Sequence, residues 1–102
     1  MATDSRFRMI VEDVFGIRGR GTVVTGRIEQ GSLEAGNEIK LTGSGYTRAV
    51  VVAAIERDRK RVERAEEGDY VGLKLEGVDK EEVQRGDVLS GERWDLDEAG
   101  QW

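Results

Sequence analysis

Thr22-Val23-Val24-Thr25-Gly26-Arg27-Ile28-Glu29 carries the clearest two-residue alternation in the chain. In an extended chain Val24 and Ile28 fall on one side and Val23, Thr25 and Arg27 on the other. β-Branched residues dominate, as in a strand with one buried face. Gly26 interrupts it, and a glycine inside a strand marks a sharp barrel bend or close approach by a ligand. Just upstream, Gly16-Ile17-Arg18-Gly19-Arg20-Gly21 predicts a turn or tight bend. Before that, Phe7, Met9 and Val11 alternate with Arg8, Ile10 and Glu12 as a first strand.

Downstream, Gly31–Gly36 is predicted to be a loop with Leu33 tucked inward. Ile39 and Leu41 share one face, Gly43-Ser44-Gly45 turns the chain, and Thr47–Ile55 is apolar enough to be covered on both faces. Ile55–Glu67 has too few apolar positions for a helix stripe and is expected to continue a strand into an exposed turn. Val71, Leu73 and Leu75 point inward from another strand, Asp79–Gln84 suits one helical turn, and Val88-Leu89 opens a last short strand. An internal echo runs through Gly36-Asn37-Glu38-Ile39, Gly68-Asp69-Tyr70-Val71 and Gly86-Asp87-Val88-Leu89: a glycine and a turn-favouring Asn or Asp launch an apolar alternation each time. Six short strands separated by glycine turns predict an all-β domain that is closed or sandwiched, with Val24, Ile28, Ile39, Leu41, Val71, Leu73 and Leu75 in its core.

The 102 residues make room for one domain, expected as a disordered segment 1–6, a barrel 7–90 and an acidic, tryptophan-bearing tail 91–102. With no cysteine, disulfides and thiolate metal sites are excluded; with no histidine, the commonest general base and metal ligand are missing. No apolar run approaches the ~20 residues that span a bilayer. The simplest reading is a soluble, cytoplasmic monomer with no membrane partner. Sixteen Lys and Arg against twenty-one Asp and Glu give a net charge of −5, so any RNA contact must be local rather than a general attraction to phosphate.

Gly31-Ser32-Leu33-Glu34-Ala35-Gly36 has the glycine spacing of a phosphate-cradling loop, but Asn37 stands where that loop needs lysine. The four serines have no histidine to activate them, and the adjacent pairs Glu12-Asp13 and Glu66-Glu67 point to opposite faces of a strand. The residues therefore predict no catalytic site, no cofactor, no metal and no GTP. Arg57-Asp58-Arg59-Lys60-Arg61-Val62-Glu63-Arg64 packs five cations among two acids. It reads either as a local phosphate-binding patch or as a solvated hairpin end that discourages edge pairing. Trp94 and Trp102 can stack on bases, but Asp95, Asp97 and Glu98 between them repel phosphate.

Glu12-Asp13-Val14-Phe15, then Gly19-Arg20-Gly21-Thr22-Val23-Val24-Thr25-Gly26-Arg27-Ile28-Glu29-Gln30-Gly31, closely resembles domain 2 of translation elongation factor Tu. It is also similar to the matching domain of the selenocysteine-specific factor. The likeness continues through Ala35-Gly36-Asn37-Glu38, Gly68-Asp69-Tyr70-Val71-Gly72-Leu73 and Glu81-Glu82-Val83-Gln84-Arg85-Gly86-Asp87-Val88-Leu89. The resemblance implies a six-stranded closed Greek-key barrel that, in the family, helps hold the 3′ end of aminoacyl-tRNA. By position it implies that Glu12, Asp13 and Phe15 lie near the aminoacyl end. It sets Ile17, Gly19, Val23 and Thr25 beside the terminal adenosine and Glu56 against the terminal ribose and base. It departs from the family pattern at Asp58, Tyr70 and Lys74, where histidine, asparagine and an apolar residue are common.

The resulting expectation is a non-enzymatic, stand-alone module that weakly binds an RNA or tRNA 3′ end, or ribosomal RNA. Arg57, Arg59, Lys60 and Arg61 are placed near the phosphates. In the family a GTPase domain completes the amino-acid pocket, so tight aminoacyl-tRNA binding is not expected. The alternatives are a protein-interaction module that keeps the barrel but not RNA binding, and an excised or engineered domain with no independent role. Calorimetry at micromolar protein should detect no saturable, magnesium-dependent GTP binding, because no loop combines cradling backbone amides with the required lysine.

Overall fold

The computed structural model describes residues 3–17 and 21–91, with the side chain of Ile17 outside the description. The strands are β1 (Arg8–Ile10), β2 (Asp13–Ile17), β3 (Gly21–Gln30), β4 (Ser32–Glu34), β5 (Glu38–Gly43), β6 (Tyr46–Arg57), β7 (Lys60–Val62), β8 (Arg64–Glu66), β9 (Tyr70–Glu76) and β10 (Val88–Ser90). Neighbours run β1-β10-β5-β6-β9-β3, and β3 pairs back to β1. This closes a six-stranded antiparallel barrel, which leaves no sheet edge in the ring itself. β2 continues β1 beyond a short break and lies against the first half of β3, β7 folds back on β6, and β4 pairs β8 as a separate ribbon.

The core follows the alternation. Val24, Ile28, Ile39, Leu41, Val71, Leu73 and Leu75 are all buried, together with Phe7, Met9, Val11, Val50, Val52, Ile55 and Leu89. Leu33 and Ala65, paired across the ribbon, close the barrel beside the C-terminal end of β3. Val78 and Val83 join the core beside the other end of β3, where the Thr22 hydroxyl donates to the Val78 carbonyl at 2.9 Å. Gly26 is a close-approach position, but the approaching group is the chain itself: a Cβ there would lie 2.5 Å from the Ile10 carbonyl oxygen.

β6 corrects the sequence reading. Thr47–Ile55 is not covered on both faces: Ala49 is exposed and Val51 and Ala53 are half-buried. Val51 is flanked across the sheet by Glu38 and Glu76 on the barrel's solvent side. A register irregularity between Val52 and Ala54 then brings Ala54 and Ile55 into burial consecutively. A single-layer barrel wall has one wet face, and apolar side chains on it do not by themselves recruit a second layer. The helical turn expected over Asp79–Gln84 is a short 3-10 turn, Lys80–Glu82.

The glycine echo is a structural repeat. Glu34-Ala35-Gly36-Asn37, Glu66-Glu67-Gly68-Asp69 and Gln84-Arg85-Gly86-Asp87 are the same turn three times. In each, the fourth residue's amide donates to the first residue's carbonyl, at 3.1, 2.9 and 3.1 Å. The fourth side chain accepts from the first amide, at 2.9 Å in all three. The glycine has φ of 94°, 93° and 91°, a conformation that strongly favours glycine. Its amide donates to the carbonyl of Val52, Ile28 or Val11 at 2.7–2.8 Å, and that residue's own amide donates back to the Asn or Asp carbonyl at 2.9 Å. β5, β9 and β10 each start directly after such a turn.

Within segment 1–6, Asp4 acts in a related way. Its carboxylate accepts from the Arg6 and Ser32 amides, each at 2.9 Å, and the Phe7 amide donates to its carbonyl. The Arg6 amide, with the Arg6 side chain and Ser32, lowers the Asp4 pKa to about 2. The Glu66 amide, joined by the Arg57 guanidinium, holds Asp69 below its ordinary value.

Leu73→Ala should cost about 2–5 kcal/mol in urea unfolding, because the side chain is fully enclosed and the barrel wall cannot collapse around the void. Asp69→Ala should cost about 0.5–2 kcal/mol, as removal of a side-chain cap on a backbone amide does, whereas Asp69→Asn keeps an acceptor, as Asn37 does, and should cost less. Asp4 and Asp69 are both more acidic folded than unfolded. Their stabilisation is present above the unfolded carboxyl value of ~3.9 and is lost as pH falls through the folded values. Urea midpoints measured down to pH 2 should therefore fall, and fall less in Asp69→Asn.

Candidate functional site

The candidate site lies on the outer face of β2, β3, β9, β6 and β7. Antiparallel pairing puts directly opposed residues on the same face. One line of paired Cα atoms runs Asp13, Thr25, Gly72, Glu56, Arg61 across the five strands. Two residues further along, the neighbouring line runs Phe15, Val23, Lys74. The strands thus gather Asp13, Phe15, Val23, Thr25 and Glu56, five of the residues singled out from sequence. Glu12 joins them through its amide, which donates to the Thr25 carbonyl at 2.8 Å. Gly19 and the Ile17 side chain lie outside the described residues, as do the two tryptophans of the tail.

Gly72 shapes this surface. A Cβ on it would sit 3.9 Å from Thr25 Cγ2 and 4.0 Å from Val23 Cγ1, which is ordinary contact distance. Glycine leaves that volume open on the sheet surface, between Thr25 and Val23 of one neighbouring strand and Glu56 of the other. Phe15 stands beside it 50% exposed and Tyr70 44% exposed. Partly exposed aromatic rings beside an open floor suit stacking of a planar ligand.

Tyr70 is tied into the wall in three ways. Its hydroxyl lies 3.3 Å from Glu12 Oε1 and 3.4 Å from Thr25 Oγ1. The Arg27 guanidinium carbon sits 5.8 Å from its ring centroid, and Arg27 Nη1 donates to the Gly68 carbonyl at 2.6 Å, which fixes the cation over the ring. Arg85 Nη2 lies 2.8 Å from Asp13 Oδ1, an exposed pair of small energetic weight that a ligand can displace.

The four cations assigned to phosphates do not form one patch. β6 turns into β7 through Asp58 and Arg59, whose φ values of 55° and 67° make a two-residue hairpin of the left-handed kind. Arg57 opposes Lys60, and Glu56 opposes Arg61, so Arg57 and Lys60 lie on the other face from Glu56. Arg57 is also committed to Asp69, Nη1 to Oδ2 at 3.0 Å. Arg61 shares the groove's face, and Arg59 is at the hairpin tip. Asp58 occupies a position set by turn geometry, for which aspartate is well suited.

Sequence reasoning missed Gly72, Arg27 and Arg85, and it noted Tyr70 and Lys74 only as departures. Their roles come from pairings and side-chain contacts between residues 16 to 72 positions apart, which leave no local signal. Among the described residues, no cluster of acidic side chains is arranged to hold a metal ion, and no helix is long and apolar enough to cross a membrane.

The profile of elongation factor Tu domain 2 matches residues 21–90. The barrel also superposes on the crystal structure of translation elongation factor SelB from Methanococcus maripaludis in its apo form. The TM-score is 0.77 and the sequence identity 36%, over 87% of this chain and 19% of that one. This chain thus corresponds to about a fifth of that factor's length. With a profile match over most of the barrel and a closed six-stranded fold of the same type, the chain belongs to the elongation factor Tu domain 2 family.

Proposed function

We propose that this translation-factor domain 2 module holds an RNA 3′ end in the groove over Gly72. Domain 2 of translation factors is a non-catalytic barrel, and the reading assigns this chain a binding role alone. The observation that carries it is the line Asp13, Thr25, Gly72, Glu56, Arg61: a floor without a side chain, a hydroxyl and a carboxylate on opposite sides, and a cation beyond. A base stacks on the exposed Phe15 ring, ribose hydroxyls donate to Glu56, and phosphates meet Arg61 and Arg59. RNA ends are held by this combination of stacking and 2′-hydroxyl recognition. Glu12, and Ile17 and Gly19 by their place in the sequence, complete the proposed pocket. Arg57 and Lys60 are assigned no direct role, the first because Asp69 holds it and the second because it faces away.

Few phosphate contacts and a net charge of −5 make the expected affinity weak and salt-sensitive. Titration of a short oligonucleotide ending in CCA at low salt should show binding with a log–log salt slope of about 0.7 per phosphate contacted. Arg59→Ala with Arg61→Ala should flatten that slope. Phe15→Ala should weaken binding by about 1–3 kcal/mol with the slope unchanged, since stacking is not a charge effect. Gly72→Val should abolish binding while leaving the circular dichroism spectrum intact. No binding, or binding indifferent to all these changes, would leave the protein-interaction role as the reading of this exposed aromatic face.

A further inference from the structure

Lys74 is a cation on the groove's face with no charge opposite it. Its Cα partners are Val23 on β3 and Ala54 on β6, both apolar. Among the described residues its ammonium makes no hydrogen bond or ion pair. Glu76, next along the same face, stands opposite Val51 and does not pair with it. Arg57 and Arg85, guanidinium groups close to the same sheet, are each held by an aspartate. Lys74 is half-buried. A lysine in that position packs its stem and keeps its head in water, with three donors to offer and no acceptor.

Lys74 shares its line of paired residues with Val23 and Phe15. Two strand spacings of about 4.8 Å separate the Phe15 and Lys74 Cα atoms, a gap that a base on the Phe15 ring and an extended lysine stem close between them. The other end of the groove has the opposite chemistry. There the Tyr70 hydroxyl meets Glu12 Oε1 and Thr25 Oγ1, and Arg27 is engaged by the Gly68 carbonyl. A base on Phe15 therefore meets a group that only donates on one side, that of Lys74. Phosphates are assigned to Arg59 and Arg61, beyond Glu56 across the open floor, which leaves the ammonium for the base.

We propose that Lys74 selects the base held on Phe15 and favours guanine over adenine. This role rests on the reading of the groove as a site for an RNA 3′ end. Guanine presents O6 and N7 side by side, two acceptors that one ammonium satisfies together. Adenine presents N7 beside an amino group, so the same ammonium gains one acceptor and faces a donor. Both purines offer a full ring face to Phe15, so the difference between them is one of edge and not of stacking.

The test titrates the whole chain at low salt, by fluorescence anisotropy, with two short oligonucleotides that differ only in the last base, one ending in CCG and one in CCA. The guanine end should bind about fivefold tighter or more, the discrimination of a two-acceptor contact. Lys74→Met keeps the stem and drops the charge, and should bring the two to equal affinity. Lys74→Arg keeps paired donors and should retain the preference. On the unaltered protein, a guanine analogue with carbon in place of N7 should lose most of the advantage. Equal affinity of the unaltered protein for both ends, or a preference that survives in Lys74→Met, would overturn this role of Lys74 and leave the RNA-end reading standing. So would an equal loss for both oligonucleotides in Lys74→Met with a salt slope lower by about 0.7, the mark of a phosphate contact. Binding of neither oligonucleotide would instead remove the RNA-end reading, and the role of Lys74 with it.

Discussion

A closed barrel removes the free sheet edges, but each turn that feeds a strand into it must still place its backbone amides and carbonyls on partners. Three times this chain solves that problem with the same four-residue turn, a positive-φ glycine followed by Asn37, Asp69 or Asp87. The side chain at the fourth position accepts the amide that the turn itself cannot reach. The glycine amide and the following carbonyl then dock onto Val52, Ile28 or Val11, whose side chains point into the core. Each turn is thereby fastened at once to its own start and to a buried position of a neighbouring strand. An unpaired amide at such a place carries a desolvation cost comparable to a lost hydrogen bond, so the register of β5, β9 and β10 is tied to these contacts.

Register is what builds the outer-wall groove. Thr25 opposes Gly72 only because β9 starts at Tyr70, directly after the Asp69 turn. A shift of one residue would point Leu73 outward and bury Gly72, exchanging the two faces of the strand. The same Asp69 also receives Arg57, so the turn that sets the groove floor takes one cation away from the hairpin beside it. The stability of the frame and the charge available at the site are therefore linked through a single carboxylate.

The charge of the molecule is distributed unevenly rather than simply negative. Arg59 and Arg61 project from the β6–β7 hairpin, and Arg6, Arg8 and Lys40 gather on the far wall. Asp4, Asp69 and Glu82 are engaged by backbone amides, which accounts for acidic residues in local structure rather than in open field. The formal net charge consequently says little about any one face.

Alternation alone was sufficient to identify the core: Val24, Ile28, Ile39, Leu41, Val71, Leu73 and Leu75 are buried as their two-residue period requires. The three glycine turns were also legible, because Gly-Asn and Gly-Asp before an apolar alternation is a local chemical signal. Closure of the barrel and the family rested on a long ordered resemblance rather than on periodicity, which leaves a closed barrel and a sandwich equally open. Thr47–Ile55 misled, since an apolar run cannot reveal whether a second layer exists to cover it. Which distant residues share a face came instead from the way the strands pair. It set Tyr70 against Glu12 and Thr25, Gly72 between Thr25 and Glu56, Arg57 onto Asp69, and Arg8 in line with Ser90 and Lys40. Those relations depend on the pairing register of strands far apart in the chain, and register is fixed by closure of the whole ring, not by any segment within it.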